Sequence, residues 1–137
     1  MTPVAAVTRY VIDVGVARKL AEDRVAVRAE HKLVAPTLIR SQVLSALYQA
    51  VGHGELTKKE AEAQLDYLRG LRIRLLGDRV LQAEAWKVAA RLGWPDTSDA
   101  EYVALTQLQA DAFITLDAKL ARTVKAVVPV APYSSLL

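Results

Sequence analysis

Short β-branched apolar runs alternate with helical patterns of apolar residues along the first third of the chain. The run YVIDVGV, Tyr10 to Val16, predicts a buried strand that Asp13 interrupts. The segment VARKLAEDR after it predicts a helix. The run KLVAP, Lys32 to Pro36, is either a short strand or the entry to the next helix.

An amphipathic helix is predicted from Pro36 to Tyr48, PTLIRSQVLSALY, and continues to the breaker pair Gly52 and Gly54. Gln42 lies on the edge of its apolar face, neither clearly buried nor clearly exposed. That face consists of Ile39, Val43, Ala46, Leu47 and Ala50.

Two helices and a strand are predicted in the middle of the chain. Thr57 and Glu60 have the spacing of a capping box, which starts the first of these helices. Arg72 to Leu76, RIRLL, predicts a strand, and Asp78 can cap the second helix. The predicted inward positions of the two helices are Ala61, Leu65, Leu68, Leu71, Leu81, Ala85, Val88 and Leu92.

The last third of the chain repeats this alternation. Gly93 to Ser98, GWPDTS, predicts a loop, and Ser98 with Glu101 predicts a second capping box before the helix DAEYVALTQLQA. The run AFITL predicts a strand that Asp117 ends, and AKLARTV predicts a short helix. VVPVAP predicts a final strand at a sheet edge, because Pro129 cannot donate to a β-ladder.

Strands that alternate with helices at short spacing predict an α/β fold around a mostly parallel central sheet. The 137 residues predict one domain, residues 1–137. In folds of this class, sites form in the crevice outside the carboxyl ends of the strands. Residues that follow the predicted strands are therefore the first candidates for chemistry.

Composition and charge exclude only a few classes of protein and of functional site. The net charge of +3 permits a polyanionic partner without requiring one. The absence of cysteine excludes disulfides, thiolate metal sites and a cysteine nucleophile. No apolar run reaches the roughly 18 residues of a membrane span, and no basic start precedes the first apolar run. We therefore expect no signal peptide, no membrane association and a cytoplasmic protein.

Three aspartates stand where a strand ends or a helix begins: Asp13 after YVI, Asp117 after FITL, and Asp99 after GWPDTS. Each also fits the ordinary role of a helix cap. Three carboxylates at one crevice repel one another unless a cation joins them. Oxygen ligands without histidine or cysteine favour Mg²⁺ or Mn²⁺. The pattern indicates metal-assisted phosphodiester hydrolysis.

The segments YVIDVGVARKL, SQVLSAL and DAEYVALTQLQADAFITLDAKL, in this order, resemble a PIN-domain ribonuclease of the VapC toxin type. The closing block is the most specific part of the resemblance. It implies a PIN-like three-layer α/β/α fold and an Mg²⁺- or Mn²⁺-dependent endoribonuclease, the toxin of a type II toxin–antitoxin pair. It also implies an RNA substrate, a cognate antitoxin and a homodimer.

By position, the resemblance carries about four acidic metal-site residues onto Asp13, residue 42, Asp99 and Asp117, with Thr115 as the threonine that flanks the last acid. Because residue 42 is Gln42 where the family pattern has glutamate, the resemblance implies an impaired nuclease. An amide oxygen can still touch metal or water, but it cannot act as a base.

Two positions depart from the family pattern. Gly15 stands where many relatives have a serine, and Gln42 replaces the expected glutamate. Gln42 is either natural or a deliberate near-isosteric replacement that disarms a toxic nuclease, and the three retained acids favour the second origin. The ordinary alternative is a solvated helix glutamine with no role in a site.

Two other readings compete with the nuclease. A non-catalytic PIN domain that binds RNA or a protein partner is the main alternative, and Gln42 favours it. A phosphoacceptor receiver domain also clusters acids at strand ends. That domain requires an acidic pair after the first strand and a lysine that ends a late strand, and the sequence has neither.

Further residues have weaker signals. Asp96 is either an auxiliary acid or a residue that shapes the loop before Asp99. Trp86 and Trp94 are predicted to pack rather than to stack on bases. The helices from Gln42 to Leu71 carry surplus apolar positions, which resembles a groove that receives an antitoxin. Candidate phosphate contacts, with a solvated basic face as the alternative, are Arg18, Lys119 and Arg122.

Overall fold

Four parallel strands form the centre of the structure, a computed structural model that describes residues 7–137. Residues 1–6, on which part of the expectation of no signal peptide rests, lie outside the described residues. The order across the sheet is β3-β2-β1-β4. The strands are β1 (Thr8–Ile12), β2 (His31–Pro36), β3 (Ile73–Leu76) and β4 (Ala112–Ile114).

Within residues 7–137 the chain forms six α-helices, and with the sheet they give a PIN-like three-layer α/β/α fold. The predicted α/β fold with a parallel sheet is therefore confirmed. None of the helices in this range is long and apolar enough to cross a membrane. The helices are α1 (Val14–Asp23), α2 (Leu38–Gly52), α3 (Lys58–Gly70), α4 (Arg79–Leu92), α5 (Ser98–Gln109) and α6 (Ala118–Val124).

The register of β1 and β4 brings the predicted site residues to one edge of the sheet. These strands are neighbours, and Ile12 pairs with Ile114 at their carboxyl ends. Asp13 directly follows β1, and Thr115 directly follows β4. Parallel pairing therefore delivers both segments to the crevice in which α/β folds form their sites.

The core lies on both sides of the inner strands. Val11, Ile12, Phe113 and Ile114 have no exposed surface, as expected for parallel strands that are covered on both faces. The predicted apolar face of α2 is confirmed, because four of its five members are buried and Ala46 is half-buried.

The structure decides two predictions near strand ends: where the first strand ends, and whether Lys32 to Pro36 is a strand. The strand predicted from Tyr10 to Val16 ends at Ile12, and Val14 to Val16 belong to α1. The reason is Asp13, whose Oδ1 accepts the Val16 N–H at 3.1 Å and so caps the helix. The run Lys32 to Pro36 is a strand, part of β2.

The two predicted capping boxes had different outcomes. Thr57 and Glu60 form theirs, with both reciprocal hydrogen bonds at 3.1 Å. The box of Ser98 and Glu101 is wrong, since α5 begins at Ser98 without a side-chain cap bond. Asp96 Oδ1 accepts the Ser98 N–H at 3.0 Å, so the loop residue satisfies this donor instead.

Trp86 and the last predicted strand also differ from expectation. Trp86 is 74% exposed, so its predicted packing is wrong; it lies about 100° further round α4 than the buried Ala85. Trp94 is half-buried and packs against the core, as predicted. The predicted strand VVPVAP does not form. Among the described residues, this segment pairs with the sheet only through one parallel β-bridge, between Val130 and Phe113 of β4.

Candidate functional site

Asp13 and Asp117 both cap helices at the edge where β1 and β4 end. Asp13 Oδ1 accepts the Val16 N–H at the start of α1. Asp117 Oδ1 accepts the Leu120 N–H at 3.0 Å at the start of α6. The capping role expected for these aspartates is therefore real. It uses one oxygen of each carboxylate, so it does not exclude a second role for either residue.

Thr115 connects these two aspartates. Its Oγ1 donates to Asp13 Oδ2 at 2.5 Å and accepts the Asp117 N–H at 3.2 Å. Donation by a hydroxyl favours the ionised form of a carboxylate. Thr115 thus orients Asp13 and ties it to the segment that carries Asp117.

Asp99 completes the set of predicted acids from a third element, the first turn of α5. Burial raises the pKa of Asp13, against the hydrogen bonds from Thr115 and Val16, and the charges of Asp99 and Asp117 raise it further. Burial likewise raises the pKa of Asp99, followed by repulsion from Asp96 and Asp117. The three predicted carboxylates therefore lie close enough to repel one another.

Within residues 7–137, no cationic side chain forms an ion pair with this cluster, whose members are Asp13, Asp99 and Asp117. Charges that repel and lack a counter-ion leave the ionised forms destabilised. The electrostatics of this edge therefore favour a bound cation.

The acidic cluster provides the ligand atoms that a divalent metal prefers, but only part of the arrangement that a metal site needs. Carboxylate oxygens are the ligands that Mg²⁺ and Mn²⁺ prefer. In the described part of the chain, however, no three or more acidic, histidine or cysteine side chains stand as a group that could hold a metal ion. Both oxygens of Asp13 and one of Asp117 are engaged in hydrogen bonds instead. The donors suit the metal, but their side chains are not arranged as a closed ligand set.

Gln42 is half-buried on α2, and its partner is a buried tyrosine rather than solvent alone. The Tyr102 hydroxyl donates to Gln42 Oε1 at 2.5 Å. Burial raises the pKa of Tyr102, and the charges of Asp13, Glu101 and Asp99 add to this effect in that order. The residue that Gln42 contacts therefore lies in the electrostatic field of the acidic cluster.

Tyr102 is the residue that sequence reasoning missed. It stands three positions after Asp99 on α5, a spacing that places both on one face of a helix. That spacing in the segment DAEY was a usable signal. Glu101 is a weaker neighbour of the cluster, and burial raises the pKa of its carboxyl.

Asp96 and Gly15, two further positions singled out in the sequence, both lie near the acidic cluster. Asp96 shapes the loop through its bond to Ser98, and its charge also acts on Asp99. A Cβ at Gly15 would lie 3.6 Å from Asp13 Oδ1, an ordinary contact, so this position has room for a serine beside the cluster.

The three candidate phosphate contacts lie on α1 and α6, the two helices that Asp13 and Asp117 cap. Arg18 lies on α1, and its buried Nε has no hydrogen-bond partner among the described residues. Lys119 and Arg122 are exposed on α6, the helix that Asp117 caps. In residues 7–137 none of the three forms an ion pair, and Lys119 and Arg122 are accessible to an anion, whereas the Nε of Arg18 is buried.

Comparison with known proteins identifies the fold. No protein-family model and no curated protein matches the chain. The crystal structure of PAE2754 from Pyrobaculum aerophilum is 20% identical with a TM-score of 0.72, over 97% of this chain and 95% of that one. The structure of VapBC-1 from nontypeable Haemophilus influenzae is 14% identical with a TM-score of 0.61, over 92% and 98%. At these identities the likeness establishes the fold alone.

Proposed function

We propose that the chain is a single PIN domain of the VapC type, an Mg²⁺- or Mn²⁺-dependent endoribonuclease and the toxin of a type II toxin–antitoxin pair. One observation carries this proposal. Asp13 is held by Thr115 at the carboxyl edge of the sheet, within repulsion range of Asp99 and Asp117. Such a cluster has a physical use if a divalent cation joins it.

Asp13, Asp99 and Asp117 would hold the cation. A divalent metal in this place supplies neutralisation of phosphodiester charge and a lowered pKa for bound water. Thr115 keeps the Asp13 carboxylate oriented, and Gln42 offers an amide oxygen where the family pattern has a carboxylate. Because an amide is neutral and cannot accept a proton at ordinary pH, we expect weakened metal binding and slow turnover.

Contacts with the RNA substrate are assigned to basic residues beside the cluster. Lys119 and Arg122 extend from α6, and Arg18 lies on α1 with its Nε buried and without a hydrogen-bond partner among the described residues. Guanidinium and ammonium groups bind phosphate oxygens by charge-assisted hydrogen bonds. Their positions on the two helices that Asp13 and Asp117 cap would place them near a bound phosphodiester.

An antitoxin is proposed to occupy the apolar groove of α2 and α3. A concavity of about 560 Å³ there is lined in part by Leu44, Leu65 and Leu68, and Leu44 is 57% exposed. An arginine from the same antitoxin segment could enter the crevice and pair with Asp13 or Asp117. A homodimer, also expected from the resemblance, remains part of the proposal.

The second candidate is a non-catalytic PIN domain that binds RNA or a protein. It is favoured by the amide of Gln42 and by the lack of a closed ligand group among the described residues. The two candidates differ in one measurable respect, metal-dependent cleavage.

The experiment follows the cleavage rate of a mixed structured RNA against Mg²⁺ and Mn²⁺ concentration. We expect slow cleavage by the parent protein and none by Asp13→Asn or Asp117→Asn. Glu55→Gln, which neutralises an exposed acid that forms no ion pair in residues 7–137, is the matched control and should cleave like the parent. RNA binding without cleavage under either metal would favour the non-catalytic candidate.

The antitoxin is tested by co-purification with the cognate partner. Leu44→Glu places a charge in the α2–α3 groove and should abolish the complex. Val80→Glu, at a similarly exposed apolar position on α4, should leave it intact. Equal retention of the antitoxin by both variants would exclude this groove.

A further inference from the structure

A row of basic side chains crosses one face of the sheet at its amino-terminal end. Arg9 pairs in register with Lys32, and Val34 pairs with Arg74. Residues that are paired in register on neighbouring parallel strands share a face of the sheet, and so do residues two apart on one strand. Arg9, Lys32 and Arg74 therefore project to the same side. Arg72, two residues before Arg74, continues the row. The register of three strands therefore assembles cations that are far apart in the sequence.

These four side chains, the sheet-face cations, line a concavity of about 650 Å³. All four residues are exposed, while Val34 beneath them is buried. Strands are rigid supports, so the Cα positions of Arg9, Lys32 and Arg74 are fixed before any ligand arrives. The concavity is separate from the acidic cluster, because Asp13 follows the end of β1, four residues and about 13 Å beyond Arg9.

The sheet-face cations form no ion pairs with acidic side chains of residues 7–137, whereas Arg69 at the rim is held by Asp66 at 2.6 Å. The nearby Asp111 accepts the backbone N–H of Arg9 at 2.8 Å rather than a side-chain donor. Four like charges in one concavity repel one another unless an anion joins them.

We propose that the sheet-face cations bind backbone phosphates of an RNA, at a site apart from the acidic crevice. The choice of RNA rests on the proposed function, which places a phosphodiester at the other end of the same strands. One folded RNA carries phosphates along its whole surface and can reach both ends of the sheet. Three of the four cations are arginines, whose planar guanidinium matches phosphate oxygens in pairs.

Salt dependence of RNA binding tests this site without cleavage. A fluorescently labelled RNA hairpin is titrated with protein in EDTA, by anisotropy, between about 50 and about 200 mM KCl. The triple variant Arg9→Gln, Lys32→Gln, Arg74→Gln should bind more weakly, and its slope of log affinity against log salt should be shallower by roughly 2 to 3. The single variant Lys32→Gln should lower the slope by about 1.

A control of equal charge separates a site from net charge alone. Lys59→Gln, Arg91→Gln, Lys125→Gln removes three exposed cations that do not line the concavity, and should change the slope by less than about 1. Thermal unfolding of both triple variants checks that each is folded. If the slope of the sheet-face variant equals that of the parent, the RNA site is overturned. If this variant also loses binding to poly-aspartate, the concavity binds an acidic peptide instead.

Cleavage in Mg²⁺, measured on the same proteins, distinguishes failure of the site from failure of the proposed function. A parent that cleaves, with an unchanged slope in the sheet-face variant, refutes the site and retains the nuclease. A parent that never cleaves, with the slope reduced as expected, refutes the nuclease and retains an RNA-binding site.

Discussion

The hydroxyl of Tyr102 donates a hydrogen bond to the amide oxygen of Gln42 at 2.5 Å, joining α5 to α2 across 60 positions of the chain. Tyr102 is only 3% exposed, and its ring lies 6.3 Å from that of Phe113 in the core. Asp99 stands one helical turn before Tyr102. The bond therefore connects the uncharged position of the proposed site to the helix that carries one of its acids.

Removal of this hydroxyl should cost stability without creating a cavity. In Tyr102→Phe the ring stays in the core, and the amide oxygen of Gln42 loses its donor. We expect a loss of about 0.5–1.5 kcal/mol in the free energy of unfolding, measured in urea. Tyr48→Phe is the matched control, since Tyr48 is 80% exposed, and should be neutral. Equal effects of the two changes would show that the bond to Gln42 contributes nothing.

Restoration of a carboxylate at position 42 should strengthen the proposed nuclease. Gln42→Glu adds one negative charge at nearly constant volume, and the Tyr102 hydroxyl can donate to it as it does to the amide. We expect Mg²⁺-dependent RNA cleavage to rise about ten-fold to a thousand-fold. No cavity forms, but stability in metal-free buffer should fall, because the added carboxylate contacts Tyr102 within the electrostatic field of the acidic cluster. The measurement is cleavage rate against Mg²⁺ concentration.

The same substitution elsewhere on α2 provides the control for Gln42→Glu. Gln49 is exposed, so Gln49→Glu should leave cleavage unchanged. Expression without the antitoxin should be more toxic for Gln42→Glu than for Gln49→Glu. If Gln42→Glu cleaves at the parent's rate while Asp13→Ala abolishes cleavage, residue 42 does not belong to the site.

Much of the fold followed from local patterns. The apolar runs around Val11 and Phe113 predicted strands that are buried on both faces, and parallel pairing then placed Asp13 and Asp117 at one edge. The capping box of Thr57 and Glu60 predicted the start of α3 because its two bonds are local. The capping box and the apolar runs depend mainly on neighbouring residues, so local patterns predicted them.

Contacts between distant elements could not be predicted in this way. The Tyr102–Gln42 bond depends on how α5 lies beside α2, and the sheet-face cations depend on the register of β1, β2 and β3. Asp96 and Ser98 show a different limit. Both are good helix-capping residues, and only the loop geometry decides that Asp96 accepts the Ser98 N–H.

Loss of the Thr115 hydroxyl should disturb Asp13 selectively. Thr115→Val keeps the shape of the side chain but removes the donor to Asp13 Oδ2 and the acceptor for the Asp117 N–H. The hydrogen bond from Thr115 lowers the pKa of Asp13, so its loss should raise that pKa further. We expect a cost of about 1–3 kcal/mol at neutral pH. An NMR titration of the Asp13 carboxyl measures the pKa.

Thr115→Ser distinguishes the hydroxyl from the methyl group of Thr115. Serine retains the donor, so the pKa of Asp13 should stay near that of the parent. A pKa in Thr115→Val that equals the parent's would mean that the hydroxyl does not act on Asp13. A rise of the same size in Thr115→Ser would assign the effect to packing instead.

Replacement of Asp13 by asparagine should remove the part of the pH dependence of stability that comes from ionisation of Asp13 in the metal-free protein. The pKa of Asp13 is raised in the folded state above the value of about 3.9 for an unfolded aspartate. The contribution of protonated Asp13 to stability is therefore fully present below about pH 4 and is lost as pH rises through the folded pKa. Asparagine caps a helix as well as aspartate does and never ionises, but its amide nitrogen cannot accept the hydrogen bond from the Thr115 hydroxyl. Loss of that bond lowers the unfolding temperature at every pH, so the effect of the charge is the trend: the unfolding temperature of Asp13→Asn relative to the parent should rise as pH passes from about 4 through the folded pKa. Melting in EDTA from about pH 3 to about pH 8 measures this trend.

Glu55→Gln is the control, since Glu55 is exposed and forms no ion pair in residues 7–137, and its unfolding temperature should follow the parent's at each pH. Addition of Mn²⁺ should stabilise the parent more than Asp13→Asn, because a cation that binds the folded state raises its stability by mass action. A relative unfolding temperature of Asp13→Asn that does not rise between about pH 4 and about pH 8 in EDTA would show that burial and acidic neighbours do not disfavour the ionised Asp13 carboxylate.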